Sequence, residues 1–189
     1  MINTDKILDA KGLACPMPIV KTKQIMNELL PGEVLEVQAT DKGSTADLKA
    51  WTERVGHQYI GTIDEGNSLK HYVRKASKSE EKKETTYKDI VSNDELLEQI
   101  QLNNKLVIVD VREEAEYTFN HIPGTLSIPI GELTNRLHEL NGEDNIFLVC
   151  RTGNRSDLAA QLLVENGFKK VKNVVPGMSA WNGPMESGV

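Results

Sequence analysis

Along the first 75 residues, apolar and polar positions change over in short blocks separated by turn residues. DKILDAKG (5–12) reads as a short strand running into a turn. From Pro16 to Leu30 the apolar residues Ile19, Val20, Ile25, Met26, Leu29 and Leu30 recur at helical spacing, and Pro31 with Gly32 stops that helix. EVLEVQAT (33–40) alternates as a strand does. Residues 44–47 then open a second helix with Ser44 or Thr45 as cap, which continues through Leu48 to Val55 and ends at Gly56. HQYIGTIDEGNSLKHYVRK (57–75) reads as a hairpin turning at residues 65–67. The order βαβαββ predicts a two-layer α/β sandwich, a small sheet with both helices on one face.

The downstream pattern is different. LVIVDV (106–111) and IFLVC (146–150) are continuous apolar runs, the signature of strands buried on both faces of a parallel sheet. VKNVV (171–175) predicts a further strand. Residues 92–95 (SNDE) open one helix, and Ser156 to Asn166, ended by Gly167, forms another. This half is predicted to be an α/β domain with a central parallel sheet. Between the halves, RKASKSEEKKETT (74–86) contains no Val, Ile, Leu or aromatic residue and cannot bury enough surface to offset the entropy of ordering it. The expected organisation is therefore two domains, 1–75 and 87–189, joined by a charged linker at 76–86; a solvated helix end at the same place would separate them equally well.

Composition narrows the function classes. The chain has 189 residues, 26% charged and 39% hydrophobic, with net charge -6. Residues 1–76 balance acid against base, so the acidic excess falls in the second half, where it repels a phosphate backbone. Direct nucleic-acid binding is not expected. No signal-peptide-like or membrane-spanning apolar run is present, which predicts a cytoplasmic protein. His57, His71, His121 and His138 lack ligand spacing, and neither of the two cysteines sits in a C-x-x-C pair, so no metal is expected. In a reducing compartment, two such thiols point to reactive chemistry rather than a structural bridge.

Cys150 ends a predicted buried strand, where open α/β sheets place their ligands. Between it and the following helix, Gly153 permits backbone N–H groups to turn inward, and the helix's positive end adds to the anion site. A thiolate is stabilised there, and so is a persulfide, whose charge sits one bond further out. The loop from Cys150 to Arg155 is one residue shorter than that of cysteine phosphatases, which favours a single sulfur atom over a tetrahedral oxyanion.

Several motifs in residues 87–189 stand together: AspValArg at 110–112, the Glu116 and Tyr117 pair, HisIleProGly at 121–124 with IlePro at 128–129, the CysArgThrGlyAsnArgSer loop, and GlyMetSerAlaTrp at 177–181. In this order they resemble a rhodanese domain. The resemblance implies a sulfurtransferase with Cys150 as the persulfide-forming nucleophile and no cofactor beyond that covalent intermediate. It also implies that Arg151, Thr152, Gly153, Asn154 and Arg155 form the substrate loop, with Asp110 and Arg112 in the site wall, either touching substrate or pairing with loop residues. Arg155 could steer an anionic donor or brace the loop. Asn120 stands where many family members have Gly.

Cys15 precedes Pro16, a residue suited to a first helical turn, and so is expected at the helix cap with its thiolate facing the positive end. A small buried residue beneath the sheet is the competing assignment. AspAlaLysGlyLeuAlaCysProMetPro (9–18), ProGlyGlu (31–33) and the stretch 41–45 resemble the TusA-like (SirA-family) sulfur carriers. That resemblance implies that Cys15 accepts and passes on sulfane sulfur.

Together the two resemblances imply a relay. A small sulfane-sulfur donor, such as thiosulfate or a low-molecular-weight persulfide, loads Cys150. The sulfur then moves to or from Cys15, with a thiol or protein as acceptor. A flexible linker would span about 20 Å and hold the sites near millimolar effective concentration. Two other readings remain open: a thiol–disulfide regulator, and a non-catalytic docking protein.

Overall fold

The computed structural model describes residues 2–77, 80, 86–102 and 105–189. Its first unit, Met1–Lys78, opens with β1 (Lys6–Asp9), which runs parallel to β2 (Val34–Ala39) after crossing through α1 (Met17–Glu28). α2 (Ser44–Val55) leads to β3 (Gln58–Asp64) and β4 (Leu69–Arg74), an antiparallel hairpin whose turn places Gly66 at φ +84. β4 pairs antiparallel with β2, giving the sheet order β1-β2-β4-β3. Met26 of α1 and Leu48 and Trp51 of α2 pack against Leu8, Leu35, Val37 and Val73 of the sheet. Both helices thus cover one face, as the alternation in 33–40 predicts.

The helix starts differ from expectation. Pro16 occupies the cap of α1 and Pro18 its second position, so Cys15 lies one residue outside the cap. α2 is capped by Gly43, and Ser44 is its first helical residue. The Ser44 hydroxyl instead donates to Asp41 O at 2.5 Å and meets His71 Nε2 at 2.8 Å. His71 Nδ1 bonds Tyr59 Oη at 2.8 Å and Thr62 Oγ1 at 3.0 Å, and the Tyr59 and Thr62 hydroxyls contact each other. Burial pushes the His71 imidazole down to about 4, so it is neutral within this network.

The second unit, Ser79–Gly188, carries a parallel sheet of order β5-β9-β8-β6-β7. Its strands are β5 (Ile90–Ser92), β6 (Val107–Asp110), β7 (Leu126–Ser127), β8 (Ile146–Val149) and β9 (Val171–Val175). Helices α3 (Asn93–Gln101), α4 (Glu114–Phe119) and α5 (Asn154–Glu165) connect them. Side chains of β8 alternate between two cores: Ile146, Leu148 and then Cys150 join Val109, Ala159 and Leu163, while Phe147 and Val149 join Ile108, Leu96 and Trp181. This explains the unbroken apolar run.

The SNDE reading at 92–95 corresponds to a capping box, with Glu95 N–H donating to Ser92 Oγ at 3.1 Å and Ser92 N–H to Glu95 Oε2 at 2.7 Å. β5, β7 and α4 are too short to show a period. α5 begins at Asn154 rather than Ser156, because Gly153 at φ +92 completes the turn in one residue. Most of the expected linker, 76–86, lies outside the described residues. Within it, the Glu80 carbonyl accepts from Asn154 Nδ2 at 2.6 Å, and Thr86 N–H donates to Asp157 at 3.0 Å. Among the described residues, no helix is long and apolar enough to cross a membrane.

Candidate active site

Cys150 follows β8 directly and is 1% exposed. Its surroundings are not only hydrocarbon. Gly153 N–H donates to Sγ at 3.1 Å and the buried Ser156 hydroxyl at 3.2 Å. Two donors converge on one sulfur, placed to hydrogen-bond to negative charge that develops there. The sequence led us to expect several inward-turned amides; the geometry has one amide from the loop and one hydroxyl from the first turn of α5. Asn154 and Arg155 therefore belong to the helix, and the loop proper is Arg151, Thr152 and Gly153.

The loop is clamped from behind. Cys150 O accepts from Met178 N–H at 2.8 Å and Arg151 O from Ser179 N–H at 2.9 Å. Asn173, fully buried in β9, donates from Nδ2 to Gly153 O at 3.1 Å, holding the residue whose amide meets the sulfur. A Cβ on Gly177 would lie 2.3 Å from Cys150 O, so only glycine fits that close approach. Arg151 and Thr152 are exposed and Asn154 is half-buried.

Arg155 braces rather than faces outward. Its guanidinium makes a bidentate pair with Glu116, at 2.6 and 2.9 Å, with both side chains buried. Burial alone would lower its proton affinity, but the Glu116 carboxylate outweighs burial and holds the guanidinium above the usual arginine range. Asp110 and Arg112 also pair, with Arg112 Nη2 2.6 Å from Asp110 Oδ2 and 2.6 Å from the Asn120 carbonyl. Arg112 Nη1 reaches Asn120 Oδ1 at 3.2 Å, so the asparagine that departs from the family pattern is part of this network. Among the described residues neither Asp110 nor Arg112 hydrogen-bonds to the cysteine loop; of the two roles expected for them, pairing with the loop is replaced by pairing with each other.

Cys15 is exposed, which rules out the buried assignment. Its thiol donates to Asp47 Oδ2 at 3.7 Å. Asp47 sits in the first turn of α2, a helix end that favours negative charge. Desolvation, then the carboxylates of Asp47 and Asp41, push the Cys15 thiol up. For so exposed a thiol the two carboxylates are the substantial part. The expected stabilisation by α1 is weak for a plain reason: Pro16 and Pro18 have no N–H, and Met17 N–H is taken by Ala14 O at 2.9 Å.

Residues 6–75 match the family described as Sulfurtransferase TusA, and residues 92–184 match the Rhodanese-like domain. The "Putative sulfur carrier protein YrkF" of Bacillus subtilis (strain 168) is 49% identical over 186 residues, covering 98% of this chain and 100% of that protein. This chain belongs to the family of TusA–rhodanese sulfur carrier proteins. For the first half, which matches TusA, "Putative sulfur carrier protein YrkI" from the same organism is 57% identical over 74 residues, 39% of this chain and 99% of that one. For the second half, the crystal structure of a rhodanese-like domain protein from Staphylococcus aureus aligns with TM-score 0.51 at 30% identity, covering 53% of this chain and 98% of that one.

Sequence reasoning did not assign roles to Ser156, Glu116, Asn173 or Asp47. Ser156 and Glu116 stand inside quoted motifs, and Asn173 is the one uncharged polar residue in an apolar strand. Asp47 is 32 positions from the thiol it meets, and no local pattern marks it.

Proposed function

We propose that this TusA–rhodanese protein is a sulfurtransferase in which Cys150 carries a persulfide and exchanges its outer sulfur with Cys15. The observation that supports this best is the pair of donors, Gly153 N–H and Ser156 O–H, aimed at a buried Cys150 sulfur. The Cys150 thiolate attacks the outer sulfur of thiosulfate or of a small persulfide. A new S–S bond forms at Sγ, and the donor's own bond to that sulfur breaks, its electron pair leaving on sulfite or on the donor thiolate. The acceptor thiol then attacks the outer sulfur as thiolate, and the electron pair of the broken bond returns to Cys150 Sγ, where the two donors receive it.

Incubation with thiosulfate or polysulfide, alkylation and peptide mapping test this. The mass of one added sulfur is expected on Cys150, and on Cys15 only where a loaded Cys150 is present in the chain or supplied separately. Loss of two hydrogens without added sulfur marks a thiol–disulfide regulator instead. A Cys150→Ser chain that keeps every activity marks a docking protein.

A further inference from the structure

The two thiols sit in opposite electrostatic settings. At Cys150 the polar groups on the sulfur are donors, an amide at 3.1 Å and a hydroxyl at 3.2 Å. At Cys15 the polar group is an acceptor, the Asp47 carboxylate at 3.7 Å, and the neighbouring helix end is short of donors, because Pro16 and Pro18 have no N–H and Met17 N–H bonds Ala14 O. A persulfide is more acidic than its parent thiol, so near pH 7 the empty Cys15 is a neutral donor to Asp47 while the loaded Cys15 is an anion beside it. The outer sulfur lies only about 2 Å beyond Sγ, within reach of the same carboxylate.

Resting on the relay reading above, we propose that Asp47 is the group that makes Cys15 a discharging station: its carboxylate disfavours the loaded form, so sulfur resides on Cys150 and leaves Cys15 quickly for an acceptor. The role differs from that of a base. A carboxylate is in general a far weaker base than a thiolate, so the Asp47 side chain, in the first turn of α2, acts on the charge of the loaded state. Asp41, whose side chain accepts from Gly43 N–H at 3.1 Å, adds a weaker field of the same sign.

The test uses the full chain carrying Cys150→Ser, which isolates Cys15. This chain is equilibrated with glutathione persulfide and glutathione at a fixed ratio, at pH 7 and low salt. The exchange is balanced: the outer sulfur moves from glutathione to Cys15, the broken bond's electron pair stays on the glutathione sulfur, and the proton of Cys15 ends on glutathione. Alkylation and peptide mass give the loaded fraction. Asp47→Asn is expected to raise the loaded-to-empty ratio about 3- to 10-fold. Raising salt to about 1 M is expected to raise the ratio clearly with Asp47 present and only slightly with Asn, where the weaker field of Asp41 remains to be screened.

A ratio that Asp47→Asn leaves unchanged or lowers overturns the inference. In the chain with both cysteines, the same substitution is expected to move sulfur from Cys150 toward Cys15. If both thiols load but never exchange with each other, the relay reading fails while the Cys150→Ser result still decides the role of Asp47. If Cys15 takes no sulfur with either residue at 47, both fail.

Discussion

Asn93 and Gly177, 84 positions apart, hold each other in both directions: Asn93 Nδ2 donates to Gly177 O at 3.0 Å, and Gly177 N–H donates to Asn93 Oδ1 at 3.2 Å. Gly177 in turn lies against Cys150 O, and its neighbour Met178 bonds that same carbonyl. A side chain at the start of α3 thereby fixes the backbone of Cys150. Asn93→Ala removes both bonds and leaves two buried backbone groups unpaired, so a loss of about 2 to 3 kcal/mol in stability is expected, with slower loading of Cys150. Asn93→Asp keeps the acceptor and loses the donor, and should fall between. Urea unfolding and a thiosulfate assay on the same samples check this.

Ser156→Ala removes one of the two donors on the sulfur while leaving the helix intact. A hydrogen bond to an ionised group is worth about 1.5–3 kcal/mol, so alkylation and sulfur loading of Cys150 at pH 7 should slow roughly 10- to 100-fold. Unfolding should change little. A variant that reacts at the parent rate would remove the hydroxyl from the account of the site.

Arg155 and Glu116 form a buried pair, and without Glu116 the guanidinium keeps only the longer approaches of Glu113 at 3.9 Å and Glu80 at 4.0 Å. Glu116→Ala is expected to destabilise the second unit by about 3–5 kcal/mol. Arg155→Met with Glu116→Met, which removes both charges, should recover most of that loss, seen in chemical denaturation of single and double variants.

Gly177→Ala should be more damaging than Gly153→Ala. The first places a Cβ 2.3 Å from a backbone carbonyl at φ +81, ψ −157, a region open essentially to glycine alone. The second meets only Val175 Cγ1, a side-chain atom, and Val175→Ala in the same chain should restore part of the loss. Calorimetry of the three variants gives the order.

His71 sets a pH dependence of known sign. Its imidazole is pushed from an ordinary 6.5 to about 4 in the folded state, so the unfolded chain binds more protons between those values. The stability this neutral histidine contributes is present above about pH 6.5 and is lost as pH falls toward 4, by about 2 to 3 kcal/mol. Unfolding of a Trp181→Phe chain followed through Trp51 should weaken across that range, and a His71→Gln chain should show a flatter profile.

Much of the architecture was legible because it is repetitive. Alternation in 33–40, the apolar runs at 106–111 and 146–150 and the capping box at Ser92 each carry several residues of the same signal. The place of Cys150 was legible for the same reason, standing between a buried strand and a glycine turn. What could not be seen is pairwise and distant: Glu116 with Arg155 across 39 positions, Cys15 with Asp47 across 32, Asn173 with Gly153 across 20. Helix starts were misplaced at Pro16, Ser44 and Ser156 because caps are decided by what else competes for the side chain. Asp41 O and His71 claim the Ser44 hydroxyl, and the Cys150 sulfur claims that of Ser156.

The Arg155–Glu116 pair has a consequence for selectivity. Because the guanidinium at the root of the cysteine loop is already neutralised, what reaches the sulfur is a set of dipoles rather than a net positive charge, and the loop's remaining cation, Arg151, stands in solvent. Dipoles reward the single charge of a persulfide on Cys150 and give a divalent anion, thiosulfate included, little in return for the water it must shed, so a small persulfide is the better of the two donors. Sulfate and phosphate should therefore compete poorly with sulfane sulfur, by valence as much as by size.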